Sequence, residues 1–359
     1  MNFEYIANTM FELFGNRINC TERRAWYVFE KHRWVKNSPK LLEIISNDLS
    51  DHYAKSLHSD DIEMAVALKN PFVRQKVKLY ACQTFYSKNE QFESKLDKRL
   101  DLIGFDNGIY DLESKIFRDG KPDDFISMSV GYDYDPTITN NELTTMMEQI
   151  IPNVELREYF TKLMAYCLSG HTYARKFFVC SGIDNDGKDL LFALIRKTFG
   201  DYFVSYGSTE SLLNNDPLNM FCVVNRRIVV FHATDETDPL NLKLRQIQTQ
   251  DNDTVWGKKS KLCKMDNIVR KLECYVRRSE FPARELFCEQ FTFKKQFTPF
   301  LICDNHLPLI SDVLKTIQFA SEFSDKTLTY ENFWMHLDEY KCAFMNMLLD
   351  HYQATFDLE

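Results

Sequence analysis

The period of the apolar positions changes several times along the chain, and those changes divide it. Residues 22–35 (TERRAWYVFEKHRW) mix aromatic and charged side chains with partial alternation, which predicts a strand or hairpin. A Ser-Pro pair then opens residues 38–57, where apolar positions recur at helical spacing. Two further helices are predicted over 59–69 and 72–86, broken at Asn70-Pro71. Residues 88–101 are densely charged and read as a solvated connection. In LIGFDNGIYDL (102–112), two apolar runs flank Asp106-Asn107-Gly108, a signal for a tight strand reversal. Short strand pieces continue through 117–136. Helical spacing returns from Asn140, breaks at Pro152 and resumes to about Leu168.

Beyond that point the pattern resembles an α/β domain. A strand over 176–180 leads through a glycine-containing loop to a helix over 189–199, followed by polar loops. NRRIVVFHATDE (225–236) is a β-branched run ending in acids. A charge-rich stretch, 241–295, precedes a third buried strand within FTPFLICDNHLPLISD (297–312). The tail, 329–356, is helical and aromatic. Strands ending in polar residues, with helices between them, predict a parallel sheet with a site at the strand ends.

Composition narrows the function classes. The net charge of −8 in 359 residues excludes a protein that coats nucleic acid over its whole surface, though not one with a local basic site. The 10 cysteines are scattered without CxxC pairs or zinc-finger spacing, which points to reduced core thiols in an intracellular protein rather than structural zinc. The opening residues lack the basic and apolar segments of a secretion signal. No run of about 18 uncharged apolar residues offers a membrane span.

Gly182-Ile183-Asp184-Asn185-Asp186-Gly187-Lys188-Asp189-Leu190 fits GxxxxGK but not the full GxxxxGK[ST]. With a strand before it and a helix after, such a loop cradles phosphates on backbone N–H groups while the lysine reaches the β/γ oxygens. Asp184, Asp186 and Asp189 outnumber Lys188, so the loop is net negative. Two unit charges about 5 Å apart at an effective dielectric near 20 repel by roughly 3 kcal/mol. A polyphosphate is therefore expected to bind poorly unless Mg²⁺ intervenes, and Asp189 is a candidate ligand for that ion. The same acids resemble the start of a calcium loop, but Gly187 is misplaced and Ile195 stands where a bidentate Glu belongs. An ordinary strand–turn–helix connection is the third reading.

A second candidate is the basic stretch 257–278. It carries Lys258, Lys259, Lys261, Lys264, Arg270, Lys271, Arg277 and Arg278 against Asp266 and Glu273. Trp256 and Tyr275 flank it, and aromatics beside cations suit the tracking of a single strand. A solvated charged face is the alternative.

Taken in order, these segments resemble one family: the helicase part of the poxvirus-type primase–helicases of large DNA viruses, members of helicase superfamily three. LIGFDNGIYDLESKIFRDGKPDDFISMSVGYDYDP is the most specific match. RAWYVFEKHRWVKNSPKLLEIISNDL is similar to the region that precedes the ATPase there, and FWMHLDEYKCAFMNMLLDHY to the helices that follow. The resemblance covers about 20–355 and implies a mixed N-terminal domain over 1–136, with a helical connection over 137–170. After these come an AAA+-like P-loop ATPase core over 171–323 and a helical tail over 324–359. It implies ATP and Mg²⁺ as cofactors and DNA as partner. It also implies assembly as a ring, either of identical copies or with an active paralogue, with any primase supplied separately, in the cytoplasm or nucleus of an infected host cell.

The same resemblance assigns roles residue by residue. Lys188 matches the phosphate-binding lysine, and Asp189 replaces the magnesium-binding hydroxyl. The metal-side acid falls at Ala233, with Asp235 and Glu236 just beyond. If they substitute for it, Asp235 is a metal ligand and either acid could polarise water; the alternative is that they only cap a helix. Asn305 matches the polar sensor that positions that water. Where an arginine finger is expected, the chain has Lys315; Arg277, Arg278 and Arg284 stand as donors by position alone. Two readings stay open: a DNA helicase with weakened ATP hydrolysis, and an inactive paralogue serving as a DNA-binding or scaffold subunit.

Overall fold

The computed structural model describes residues 2–173, 175–182, 186–210, 217–233, 269–303, 311–319 and 330–354. They divide into two compact units, one of residues 1–111 with 115–133 and one of 112–114 with 134–359.

The first unit opens with α1 (Phe3–Phe14), a helix absent from the sequence reading. Its cap is local: the Asn2 side chain accepts the backbone N–H of Glu4 and Tyr5. A three-stranded antiparallel sheet follows, β1 (Ile18–Cys20), β2 (Trp26–Glu30) and β3 (Arg33–Lys36), with β2 and β3 forming the expected hairpin. The helical stretch after Ser38-Pro39 runs from α2 (Lys40–Ile44) through a π turn (Ile45–Leu49) into α3 (Ser50–Ala54). Then come α4 (Ser59–Leu68) and α5 (Pro71–Lys88). Asn70 caps α5 and Pro71 occupies its first turn, where a missing N–H costs nothing. One face each of α1, α5 and the first sheet buries a shared core that includes Met10, Trp26, Val77 and Phe85.

The charged stretch 88–101 differs from expectation. It contains α6 (Phe92–Lys95), and Phe92 and Leu96 are buried against Trp34. Two apolar side chains spaced four apart anchor an otherwise polar segment. The reversal at Asp106-Asn107 is a two-residue hairpin joining β4 (Leu102–Phe105) to β5 (Gly108–Asp111), with β6 (Ile116–Arg118) beside them. Residues after β6 form one 3-10 turn, Pro122–Asp124, and no further strand up to residue 136. Asp124 fixes this segment: its buried carboxylate takes both Arg118 Nη atoms, Arg99 Nη1 and the Lys121 N–H at 2.7–3.1 Å. Burial opposes its ionisation, but these donors hold the carboxyl below the usual carboxylate range.

The second unit contains α7 (Asn141–Ile150) and α8 (Val154–Tyr166), then a five-stranded sheet. Its strands are β7 (Phe177–Ser181), β8 (Phe203–Tyr206), β9 (Ile228–Ala233), β12 (Thr298–Cys303) and β13 (Leu314–Gln318). Every pairing is parallel, in the order β13-β7-β12-β9-β8. The central strands β7 and β12 are buried throughout, as sheets covered on both faces require. On one face, α9 (Lys188–Phe199) sets Phe192 against Phe300 and Phe160. The other face carries Phe177, Val179, Val229, Phe231 and Leu301. It is covered by helical residues 269–277 and by the antiparallel hairpin β10 (Glu280–Ala283) and β11 (Phe291–Lys294). A short α10 (Pro217–Phe221) precedes β9, and α11 (Tyr330–His351) forms the helical tail, tied to α9 by Lys197–Asp338 at 2.8 Å.

Strands β8, β10, β11 and β13 lie in segments read as polar loop, charged stretch or trailing sequence. Each is short or partly exposed, so its apolar signal is diluted by polar neighbours.

Candidate nucleotide and nucleic-acid site

The phosphate-loop candidate begins where β7 ends. Ser181 O accepts the Phe319 N–H at 2.8 Å, and the Gly182 N–H reaches Cys303 O at 3.3 Å, so neighbouring strands pin the chain on entry. Gly187, with φ +84°, caps α9 in a conformation that a side chain would strain, and Leu191 N–H closes the first helical bond onto its carbonyl. The expected strand–loop–helix unit is therefore present, with Lys188 as the first helical residue at the carboxyl edge of the sheet.

The side chains in it are unequal. Lys188 and Asp186 are each 1% exposed, whereas Asp189 is exposed on the outer side of the first turn. Asp186 Oδ1 accepts the Lys188 backbone N–H at 2.9 Å, and Asp186 Oδ2 lies 3.4 Å from Lys188 Nζ. A Cβ on Gly182 would fall 1.7 Å from that same Oδ2, so only glycine leaves room for the carboxylate to fold back. One carboxylate thus engages both donor types that a phosphate in such a loop requires. Burial pushes the Asp186 carboxyl above its usual range. The fit to a nucleotide is partial: the donors are right, and an internal anion competes for them. The Leu190 side chain is fully buried, which leaves only its backbone to face a ligand.

Other candidates divide by location. Asp184, Asn185, Asp235, Glu236 and Asn305 lie outside the described residues, as do Lys258, Lys259, Lys261, Lys264 and Trp256. Ala233 closes β9 opposite Cys303, buried, and supplies no acid. Lys315 lies on β13 with its ammonium 5.7 Å from the Tyr159 ring centre of the same chain. Among the described residues no three His, Cys, Asp or Glu side chains converge as a metal cluster.

The described part of the basic stretch is amphipathic. Arg270, Lys271, Arg277 and Arg278 are exposed, two adjacent pairs separated by about two helical turns. Leu272, Tyr275 and Val276 face the core. Tyr275 corrects the sequence reading: at 2% exposure, with Phe231, Phe281 and Phe297 around its ring, it cannot stack on a base. Helical spacing carries that signal, since 272, 275 and 276 share one face. A hairpin follows, between β9 and β12, where the family resemblance places one, but it lies beyond the basic residues rather than within them. Its tip carries exposed Arg284 and shows Leu286 at 64% and Phe287 at 98% exposure, with Phe287 at φ +63°. The Arg278 guanidinium lies 5.5 Å from the Phe281 ring and leads the basic helix into β10.

Residues 7–152 match the family described as D5 N terminal like. The chain is 29% identical over 408 aligned positions to the inferred helicase L207/L206 of Acanthamoeba polyphaga mimivirus, covering 97% of this chain. It is 26% identical over 279 positions to the inferred helicase 121R of Invertebrate iridescent virus 3, covering 73% of this chain. It spans 39% of the length of the first relative and 27% of the second. The fold is similar to the apo C terminal region of NrS-1 in its A form, with a TM-score of 0.51 at 10% identity, covering 97% of this chain and 69% of that one. The chain thus resembles the helicases of large DNA viruses, and its fold is that of the NrS-1 C terminal region. Among the described residues no helix is long and apolar enough to cross a membrane.

Proposed function

We propose that the chain is a superfamily-three helicase-like P-loop subunit that acts on DNA in viral-type replication and takes nucleotide weakly. The observation that carries this reading is the position of Lys188, first residue of α9, beside a glycine with φ +84° at the carboxyl edge of a parallel sheet. Phosphates approaching there meet backbone N–H groups, the positive end of α9 and the Lys188 ammonium. Asp189, exposed on the first turn, is available to Mg²⁺ together with Asp235. Asp235 or Glu236 would polarise water and Asn305 would orient it. Lys315 is occupied with Tyr159, so an arginine would come from a neighbouring subunit in a ring. Mg²⁺-ATP supplies the phosphoryl chemistry when bound. DNA would run along Arg270, Lys271, Arg277 and Arg278 and reach the hairpin tip, where Glu285 and Glu289 offset Arg284 and the contact is mainly apolar through Leu286 and Phe287.

One observation favours a second reading, an inactive paralogue serving as scaffold or DNA-binding subunit. Asp186 already engages the donors that ATP needs. Titration with ATP, with and without Mg²⁺, on the wild type and Lys188→Ala separates the two. Saturable binding lost in the variant supports the nucleotide-using subunit. No binding at millimolar ATP leaves the scaffold.

A further inference from the structure

The sulfur atoms of Cys20 and Cys82 lie 2.8 Å apart, although the residues are 62 positions apart in sequence. Non-bonded carbon atoms ordinarily settle about 3.5–4.0 Å apart, and sulfur is larger than carbon. A bonded sulfur pair lies at about 2.05 Å. The approach is too close for two thiols at rest and needs only a small closure to become a bond.

The surrounding packing holds both backbones at that approach. Cys20 ends β1 and pairs with Trp26, whose ring meets Phe85 edge-on at 5.3 Å, one turn beyond Cys82 on α5. Phe11 of α1 packs on the same Phe85 at 5.1 Å. Asn89, capping α5, donates from Nδ2 to Asn19 Oδ1 at 2.7 Å, which fixes the register of β1 against the helix. These contacts set Cys20 of β1 and Cys82 of α5 within one shared core.

We infer that Cys20 and Cys82 are a disulfide-forming pair, a covalent staple between β1 and α5 of the N-terminal unit, closed by an external disulfide such as oxidised glutathione. The exchange balances. One thiolate attacks glutathione disulfide, forms a mixed disulfide and releases one glutathione thiolate. The second cysteine thiolate then attacks the protein sulfur of the mixed disulfide and releases the other. Two cysteine thiols are oxidised, one glutathione disulfide is reduced, and the two thiol protons pass to the two glutathiones. The native Cys20 thiol is a poor nucleophile, because burial pushes it well above its usual range and leaves it 1% exposed. Closure therefore belongs to folding, before α5 covers β1. Once made, the bond is shielded from reductant by the same burial.

The test uses the full chain refolded in a glutathione redox buffer, then unfolded with iodoacetamide and digested. A cross-linked peptide joining Cys20 to Cys82 is expected, while the other cysteines alkylate. The oxidised chain should unfold on the order of 10 °C above the reduced chain, given a closed loop of this length. Cys82→Ala should abolish both effects. Complete alkylation of Cys20 and Cys82 from the oxidised preparation overturns the inference, as does cross-linking of either to a different cysteine. Peptide mapping of the wild type decides the matter even where the variant folds poorly.

Discussion

The Lys188 ammonium lies 3.4 Å from the Asp186 carboxylate, and that carboxylate also accepts the Lys188 backbone N–H at 2.9 Å. A residue two positions before the lysine therefore occupies it from within the loop. The net negative loop read from sequence acquires a geometry here. Among the described residues of the loop, Asp186 is the buried acid and Asp189 the exposed one.

Neutralising Asp186 should free the cradle. Asp186→Asn keeps an oxygen for the Lys188 N–H and removes the charge, so affinity for ATP or tripolyphosphate should rise at least tenfold. That is well within the roughly 3 kcal/mol repulsion expected at such distances. Isothermal titration of wild type, Asp186→Asn and the double variant with Lys188→Ala checks this. A gain that survives loss of the lysine would show that the two residues do not share a ligand.

The basic helix face makes a prediction about salt. Arg277→Ala with Arg278→Ala should weaken single-stranded DNA binding and flatten the dependence of log affinity on log salt. The expected change in slope is about 1.4, at roughly 0.7 for each phosphate that is no longer neutralised. Fluorescence anisotropy across a salt series measures it. An unchanged slope places DNA elsewhere.

Tyr275 separates core from binding surface. Among the described residues its buried hydroxyl has no hydrogen-bond partner. Tyr275→Phe should leave stability unchanged or raise it by up to about 1 kcal/mol. Tyr275→Ala should cost about 3–5 kcal/mol, as deletion of a large buried ring does. Urea denaturation reads both. DNA affinity unaltered in Tyr275→Phe agrees with a ring turned into the core.

Asp124 links stability to pH. Its folded carboxyl is held below the usual range, so the unfolded chain binds the proton more readily. Its contribution is full above about pH 4, the ordinary Asp value, and is lost as pH falls through the lower folded value. Asp124→Asn should therefore destabilise the first unit by about 2–3 kcal/mol at neutral pH, allowing for partial exposure of Arg99 and Arg118. The difference should shrink toward pH 3. Denaturation curves of both proteins from pH 3 to 7 test the sign.

The sequence by itself determined the features that depend on local chemistry. Asn70-Pro71 marks a helix start because the proline needs no N–H donor there, and Asp106-Asn107-Gly108 marks a two-residue reversal. The buried runs at Phe177–Ser181, Ile228–Ala233 and Thr298–Cys303 announce a parallel sheet because strands covered on both faces must be apolar throughout. The GxxxxGK spacing located the turn into α9. Tertiary structure alone decided matters that depend on which surfaces meet. Phe92 and Leu96 turn a charged stretch into part of a core. Edge strands such as β8 and β13 exist because a parallel neighbour completes their hydrogen bonds, which no local pattern records. Burial also made Asp186 different from Asp189. Both are the same acid in sequence, but a carboxylate shut away from water must find its donors within the protein, and Lys188 is the one at hand.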